Sequence, residues 1–114
     1  MIVSHKSSTN ISELARMSDI TVGVVCMPGL VQADWIKPDA TVNDVDINRV
    51  PAPENGIKED GTVNTKLVGD VDFYAAQYVA GAITPVLGGV GPITIACLLA
   101  NTLSACCNLN SLRA

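Results

Sequence analysis

The chain has 114 residues and a formal net charge of -4, with 48% hydrophobic and 16% charged residues. That is the size of one small domain. It is too apolar for a disordered segment, and its singly scattered Lys and Arg residues lack the basic patch that nucleic-acid binding requires.

The low charge leaves few groups to cover the surface, so an exposed apolar patch is expected. Cys26, Cys97, Cys106 and Cys107 have no metal-site spacing. They read as reduced, mostly buried thiols of a cytoplasmic protein rather than as a disulfide scaffold. Met1 to Asn10 is polar and lacks the apolar run of a leader. Gly81 to Leu103 is the most apolar stretch, but Pro85, Pro92 and several glycines interrupt it, which argues against a membrane helix.

In chain order, Met1–Ser4 is a very short strand candidate that begins abruptly. Ser12–Met17 reads as a short helix, with Asn10 or Ser12 as its cap. Ile20–Val25 is a near-continuous apolar run, the pattern of a strand covered on both faces. Cys26-Met27-Pro28-Gly29 ends it with turn chemistry. Val31–Ile36 is a turn or short helical piece anchored by Trp35, and Ala40–Val45 is the next strand, running into Asp46-Ile47-Asn48-Arg49. Pro51 to Thr65 is a loop or hairpin excursion that includes the mixed-charge run Glu54–Asp60. Lys66–Val68 is a strand, Asp72 caps a helix over Tyr74–Val79, and Ala82–Thr84 is a buried strand. Pro85–Gly91 is a glycine-rich loop. Pro92 opens a last helix from Ile93 to about Cys106, where its missing N–H costs nothing. Ile93, Ala96, Cys97, Ala100 and Leu103 mark its apolar face. The order predicts an α/β fold, a mostly parallel sheet with flanking helices. Ligands of such sheets bind at the carboxyl ends of the strands, here after Val25, Val45 and Thr84.

The loop Leu87-Gly88-Gly89-Val90-Gly91-Pro92 reads in two ways. Its N–H groups at a helix start can meet an anion or polar ring, or it is a tight turn with no ligand. It matches neither a Walker A loop nor Gly-x-Gly-x-x-Gly. Asp44/Asp46 and Asp70/Asp72 are two Asp-x-Asp pairs. They can hold a metal or do acid/base work, but they read better as turn formers and helix caps. His5, the sole histidine, has no assignable partner. Cys26 reads better as a small buried hydrophobe than as a nucleophile. Asn48 and Arg49 either bind a ligand or lock their loop.

Several segments in order and spacing resemble one family: Pro28-Gly29, Asp34 to Pro38, Asp44 to Arg49, Lys66 to Phe73, Ile83 to Thr94 and Asn101-Thr102-Leu103. It is the bifunctional methylenetetrahydrofolate dehydrogenase/methenyltetrahydrofolate cyclohydrolase (FolD) family. The resemblance implies a partial Rossmann-like NAD(P)-binding domain. It implies oxidation of 5,10-methylenetetrahydrofolate with NADP, or NAD in some members, and hydrolysis of the product to 10-formyltetrahydrofolate. It implies a folate substrate and a homodimer. The cofactor side would comprise His5, Lys6, Pro28, Gly29, Asp46, Ile47, Asn48 and Thr84. The substrate-side loop would comprise Pro85, Gly88, Gly89, Val90, Gly91 and Pro92.

This sequence departs from the family pattern in several places. Cys26 stands where the family has a glycine, and so does Asp46. Asp46 adds a side chain and a negative charge, with backbone strain if the glycine requires positive φ. Leu87 stands for proline, Ile93 for methionine, and Lys6-Ser7 for Ser-Arg. The family's catalytic Tyr-x-x-x-Lys motif has no counterpart here, nor does its Ser-Arg-Ser and Val-Gly-x-Pro loop. No residue of this chain is therefore assigned as catalytic. Residues 1–114 are expected to be the carboxyl-terminal part of the cofactor domain, without the amino-terminal catalytic domain and inactive alone. The alternatives are a split enzyme completed by a second chain and a non-catalytic cofactor-binding or interaction module.

Overall fold

The computed structural model describes residues 1–86 and 88–112. Among these, the elements are α1 (Ile11–Arg16), β1 (Ile20–Gly23), β2 (Thr41–Asp44), β3 (Asn48–Pro51), β4 (Thr65–Val68), α2 (Phe73–Ala76), β5 (Ala82–Ile83) and α3 (Val90–Leu109). Short 3-10 turns cover Ala33–Trp35 and Pro53–Asn55.

β1, β2 and β5 form a parallel sheet with β2 in the centre. Ile20 lies beside Thr41 and Val42 beside Ile83. β2 pairs with β1 on one side and β5 on the other; its Val42/Asp44 face is buried, with Val42 fully enclosed, whereas Thr41 on the opposite face is exposed. Around it pack Val31, Ile36, Ala40, Val71 and Ala76, with Trp35, Val79, Ala80 and Ile83 partly buried against them. Each large aliphatic side chain so enclosed contributes roughly 1.5–3 kcal/mol. Trp35 anchors its turn against this core, as expected.

β3 and β4 form a separate antiparallel pair, Asn48 opposite Val68 and Pro51 opposite Thr65. The stretch expected to be loop or excursion is therefore a hairpin. Its first strand begins at Asn48, three residues beyond the expected end of the preceding strand. Pro51 at the strand end forfeits only one ladder donor.

Other boundaries shift. Met1–Ser4 forms no strand, because no described strand pairs with it. α1 begins at Ile11, and Asn10 caps it by position only, in the left-handed region at φ 58 with no side-chain bond. α2 is shorter than expected and starts at Phe73. Asp72 occupies its N-cap position without a side-chain hydrogen bond. The run expected to be covered on both faces is not: Ile20 and Val22 in β1 and Val24 just after it are all exposed.

α3 runs unbroken for 20 residues, because Gly91 and Pro92 fall in its first turn, where a proline does not interrupt the ladder. Of the expected interruptions, Pro85 does lie in the loop before the helix, whereas Gly91 and Pro92 fall inside it. By length and composition alone the helix is long and apolar enough to cross a membrane. The expected packed face, Ile93, Ala96, Cys97, Ala100 and Leu103, is exposed; Cys107 is the buried residue of this helix. Cys26, Cys97 and Cys106 are also exposed, against the expectation of buried thiols. The radius of gyration is 17.9 Å. A compact chain of this length would have about 13 Å.

Candidate functional site

Because β1, β2 and β5 run parallel, their carboxyl ends meet along one edge, the position where open α/β sheets bind ligands. Three carboxylates organise that edge. Asp70, in the turn after β4, is fully buried. Its Oδ2 accepts the N–H groups of Val25 (2.6 Å) and Cys26 (3.1 Å). Its Oδ1 accepts the Met27 N–H at 2.9 Å and Asn48 Nδ2 at 2.8 Å. Asp44, at the end of β2 and 4% exposed, accepts the N–H groups of Asp70 (2.9 Å) and Val71 (3.1 Å). Gly69 has no room for a side chain, since a Cβ there would overlap the Asp44 carboxylate.

Thr84 completes the wiring from β5. Its Oγ1 accepts the Asp44 N–H at 2.8 Å, and the hydroxyl lies 3.3 Å from the Asp44 carbonyl. Asp46 Oδ2 accepts the Cys26 N–H at 2.8 Å. These aspartates are therefore neither turn formers nor helix caps in the expected sense. Their oxygens satisfy loop N–H groups that would otherwise be stranded near the core.

The electrostatics follow from these contacts. Burial pushes the Asp44 carboxyl above the usual carboxylate value, with the two N–H donors pulling the other way. The Cys26 N–H holds the Asp46 carboxyl below that value. The Asp46 carboxylate beside Cys26 pushes its thiol upward, first by hydrogen bonding and then by charge.

Cys26 is exposed and has φ 53, the left-handed region that disfavours a residue with a Cβ. Asp46 does not lie in that region. The backbone strain considered for Asp46 falls on Cys26 instead. The expectation of a buried, hydrophobe-like Cys26 is corrected at the same point: the turn projects it outward while its N–H is shared by Asp46 and Asp70. Asn48 locks its loop through Asp70, and Arg49 Nη1 donates to Thr65 Oγ1 at 3.2 Å across the hairpin.

Two concavities flank the edge. One, of about 150 Å³, is lined by Ile2, Ser4, His5, Lys6, Thr21 and Val25 among others. His5 is exposed, and its Nδ1 accepts the Ser7 N–H at 3.1 Å. The other is an open groove of about 880 Å³ between the hairpin and α2; it brings Pro28, Gly29, Lys66, Asp72, Tyr74 and Pro85 together. The turn 25–28 spans the two. Ile47 is exposed at the same edge. Gly88, Gly89, Val90, Gly91 and Pro92 line neither concavity. Gly89 has φ 94 and leads directly into α3. Leu87 lies outside the described residues.

A dinucleotide requires hydrogen-bond donors and positive charge for its phosphates and a ledge for its rings. Thr21 lines the same cavity as Lys6, and its hydroxyl is buried without a hydrogen-bond partner. Lys6 makes no ion pair among the described residues. Lys6, with Ser4 and His5 in the same lining, suits an anionic group. The N–H groups of residues 25–27 offer nothing further, since carboxylates already hold all three. Sequence reasoning missed Thr21 and the central role of Asp70. The signal for Asp70 is an acidic residue directly after a glycine at the end of an apolar strand. For Thr21 there is no signal beyond a hydroxyl within an apolar run.

The model for the tetrahydrofolate dehydrogenase/cyclohydrolase NAD(P)-binding domain matches residues 1–110. The bifunctional protein FolD 1 of Roseobacter denitrificans is 56% identical over 110 residues, covering 96% of this chain and 35% of that protein. The bifunctional protein FolD of Brucella anthropi is 57% identical over 105 residues, covering 92% and 33%.

Among solved structures, the FolD of Trypanosoma brucei, complexed with NADP and an inhibitor, superposes with a TM-score of 0.71. It is 44% identical and covers 90% of this chain and 33% of that one. The FolD of Campylobacter jejuni gives a TM-score of 0.72 at 37% identity, covering 94% and 34%. The chain spans about a third of the length of these relatives. With a domain match that runs from its first residue through the end of α3, the chain belongs to the tetrahydrofolate dehydrogenase/cyclohydrolase family, through its NAD(P)-binding domain.

Proposed function

We propose that residues 1–114 are the carboxyl-terminal, cofactor-binding part of a 5,10-methylenetetrahydrofolate dehydrogenase/5,10-methenyltetrahydrofolate cyclohydrolase. The observation that carries this is the family match over 110 residues, on a chain whose strand ends converge on one edge. NADP is the proposed cofactor, with NAD as the alternative. His5 and Lys6 would stand towards a phosphate, with the Thr21 hydroxyl beside them. Pro28, Gly29, Asp46, Ile47, Asn48 and Thr84 would form the wall for the nicotinamide half. Pro85 and the segment Gly88-Gly89-Val90-Gly91-Pro92 would face the folate.

When bound, the nicotinamide supplies a hydride acceptor. The contribution of this chain is position: Asp70 and Asp44 fix the loops of the edge, and the Thr84 hydroxyl ties β5 to β2. Proton transfer and hydrolysis are assigned to the family's Tyr-x-x-x-Lys segment, which these residues do not contain. An amino-terminal catalytic domain, a homodimeric partner and a cytoplasmic location belong to the same proposal.

The test uses the purified chain beside a full-length relative. NADP binding is followed by calorimetry, and NADP reduction with 5,10-methylenetetrahydrofolate by absorbance. Binding without turnover is the expected result. Turnover by the chain alone would refute the division of labour. A folded chain that binds neither NADP nor NAD would refute the cofactor reading. A second reading, a non-catalytic cofactor-binding or subunit-interaction module, is favoured by Cys26 and Asp46 at positions where the family has glycine. It predicts that adding the relative's amino-terminal domain restores no activity.

A further inference from the structure

We propose that Asp46 tilts this chain toward the oxidised, positively charged form of a nicotinamide dinucleotide and against the reduced, neutral form. The inference rests on the cofactor reading above and concerns a residue that stands where the family pattern has glycine.

Three carboxylates stand at the carboxyl edge, and they are not equivalent. Asp70 is fully enclosed, with four donors on its two oxygens, so its charge is spent on the protein. Asp44 is buried, both its oxygens are occupied, and burial favours its neutral form. Asp46 is half-buried and accepts one backbone N–H, that of Cys26, at 2.8 Å. It has no Lys or Arg partner among the described residues. Its carboxyl is held low, so the charge persists through the neutral range.

The contact with Cys26 also fixes where the charge sits. The N–H belongs to the turn after β1, and the carboxylate to the segment after β2. The bond therefore bridges the ends of two adjacent parallel strands. It further helps hold Cys26 at φ 53, where an L-residue is disfavoured. The charge is thereby held between two strand ends, at the edge where the cofactor reading places the nicotinamide half.

The two redox forms carry the same phosphates and sugars. They differ at the ring by one positive charge, so the ratio of their affinities isolates this effect from phosphate binding. One charge several ångströms away in a half-exposed site is worth on the order of tenfold in affinity.

The experiment measures the dissociation constants of NADP⁺ and NADPH by calorimetry on the full chain. The variants are Asp46→Asn and, as a control on the exposed loop, Asp60→Asn. The wild type and Asp60→Asn should bind NADP⁺ about tenfold more tightly than NADPH. In Asp46→Asn the ratio should fall towards one. A wild-type ratio at or below one, or a ratio unchanged in Asp46→Asn, overturns the proposal. If Asp46→Asn does not fold, the wild-type ratio is measured at low and high salt. A fall towards one with rising salt supports a charge-based preference, and a constant ratio overturns it. If neither form binds to the folded wild type or to any variant, the cofactor reading itself fails and the preference falls with it. Binding of both forms with equal affinity overturns the preference alone.

Discussion

Val42 in β2 has no exposed surface, whereas Leu98 in α3, an equally apolar residue, is 64% exposed. The two regions draw on similar composition and meet opposite environments. Around β2, apolar side chains close on one another, and the polar groups at its carboxyl end are wired through Asp44, Asp70 and Thr84. α3 carries no charged residue from Val90 to Leu109, yet Ile93, Ile95, Leu98, Leu99, Leu103 and Leu109 all face outward. Its two threonine hydroxyls are satisfied internally: Thr94 donates to the Val90 carbonyl and Thr102 to the Leu98 carbonyl, each at 2.7 Å. A helix that is apolar all round is built for a buried setting. The difference places the buried contacts of this chain in the sheet edge and its core, and leaves α3 with little of its apolar surface covered.

The largest effect should come from the edge. Asp70→Ala removes the acceptor for the Val25, Cys26 and Met27 N–H groups and for Asn48. Leaving several donors unsatisfied near the core should cost on the order of 3 kcal/mol or more. Urea unfolding of the two proteins side by side measures this. A loss below about 0.5 kcal/mol, the scale of a surface substitution, would show that water replaces the carboxylate and that the edge is not the stability centre.

The opposite outcome is expected on α3. Leu98→Glu with Leu103→Glu alters two exposed side chains. It should move the unfolding free energy by no more than about 0.5 kcal/mol each, while reducing self-association seen by light scattering. A loss of about 2 kcal/mol or more, the scale of core truncation, would break the comparison by showing that these leucines are packed in solution.

Ile20–Gly23 was legible as part of the apolar run Ile20–Val25 bounded by turn residues, and Thr41–Asp44 as the stretch between the Lys37-Pro38-Asp39 turn and Asp46. Pro92 with the small and apolar residues after it announced α3. What the sequence could not convey is what lies opposite each face. Ile20, Val22 and Val24 have the pattern of a covered strand, but no described residue covers them. β3 was hidden because Asn48-Arg49-Val50-Pro51 has no clear strand pattern and depends on β4 across the hairpin. The resemblance supplied candidate site residues, and of these Pro28, Gly29 and Pro85 line one groove while Asp46, Asn48 and Thr84 do not. The roles of Asp44 and Asp70 were not. An Asp-x-Asp spacing suits caps, metals and loop acceptors alike, and only the fold brings the Val25–Met27 N–H groups onto one carboxylate.

Two smaller effects sharpen the contrast through ionisation. Cys26 shares the exposure of Cys97 and Cys106, but its thiol pKa is raised by Asp46. It should therefore react more slowly with iodoacetamide near pH 8 than those two, which mass spectrometry of the individual peptides resolves. Asp46→Asn should accelerate Cys26 a few-fold, because the thiolate is the nucleophile, and leave the α3 thiols unchanged. Equal rates for Cys26 in both proteins would remove Asp46 as the cause.

For Asp44 the folded-state pKa is raised, so the native state binds its proton more readily than the unfolded chain does. Its contribution to stability is therefore present at low pH and is lost as pH rises from the ordinary value of 3.8 through the raised one. The exposed carboxylates Asp19, Glu54 and Asp60 have lowered pKa values and act in the opposite direction, so the total profile conceals the effect. The difference between wild type and Asp44→Asn isolates it, because those carboxylates cancel. Measured by urea unfolding across the acid range, the wild type's stability relative to Asp44→Asn should decline as pH rises above 3.8. A difference that instead grows with pH would mean that the N–H groups of Asp70 and Val71 outweigh burial, and that Asp44 is held as a carboxylate.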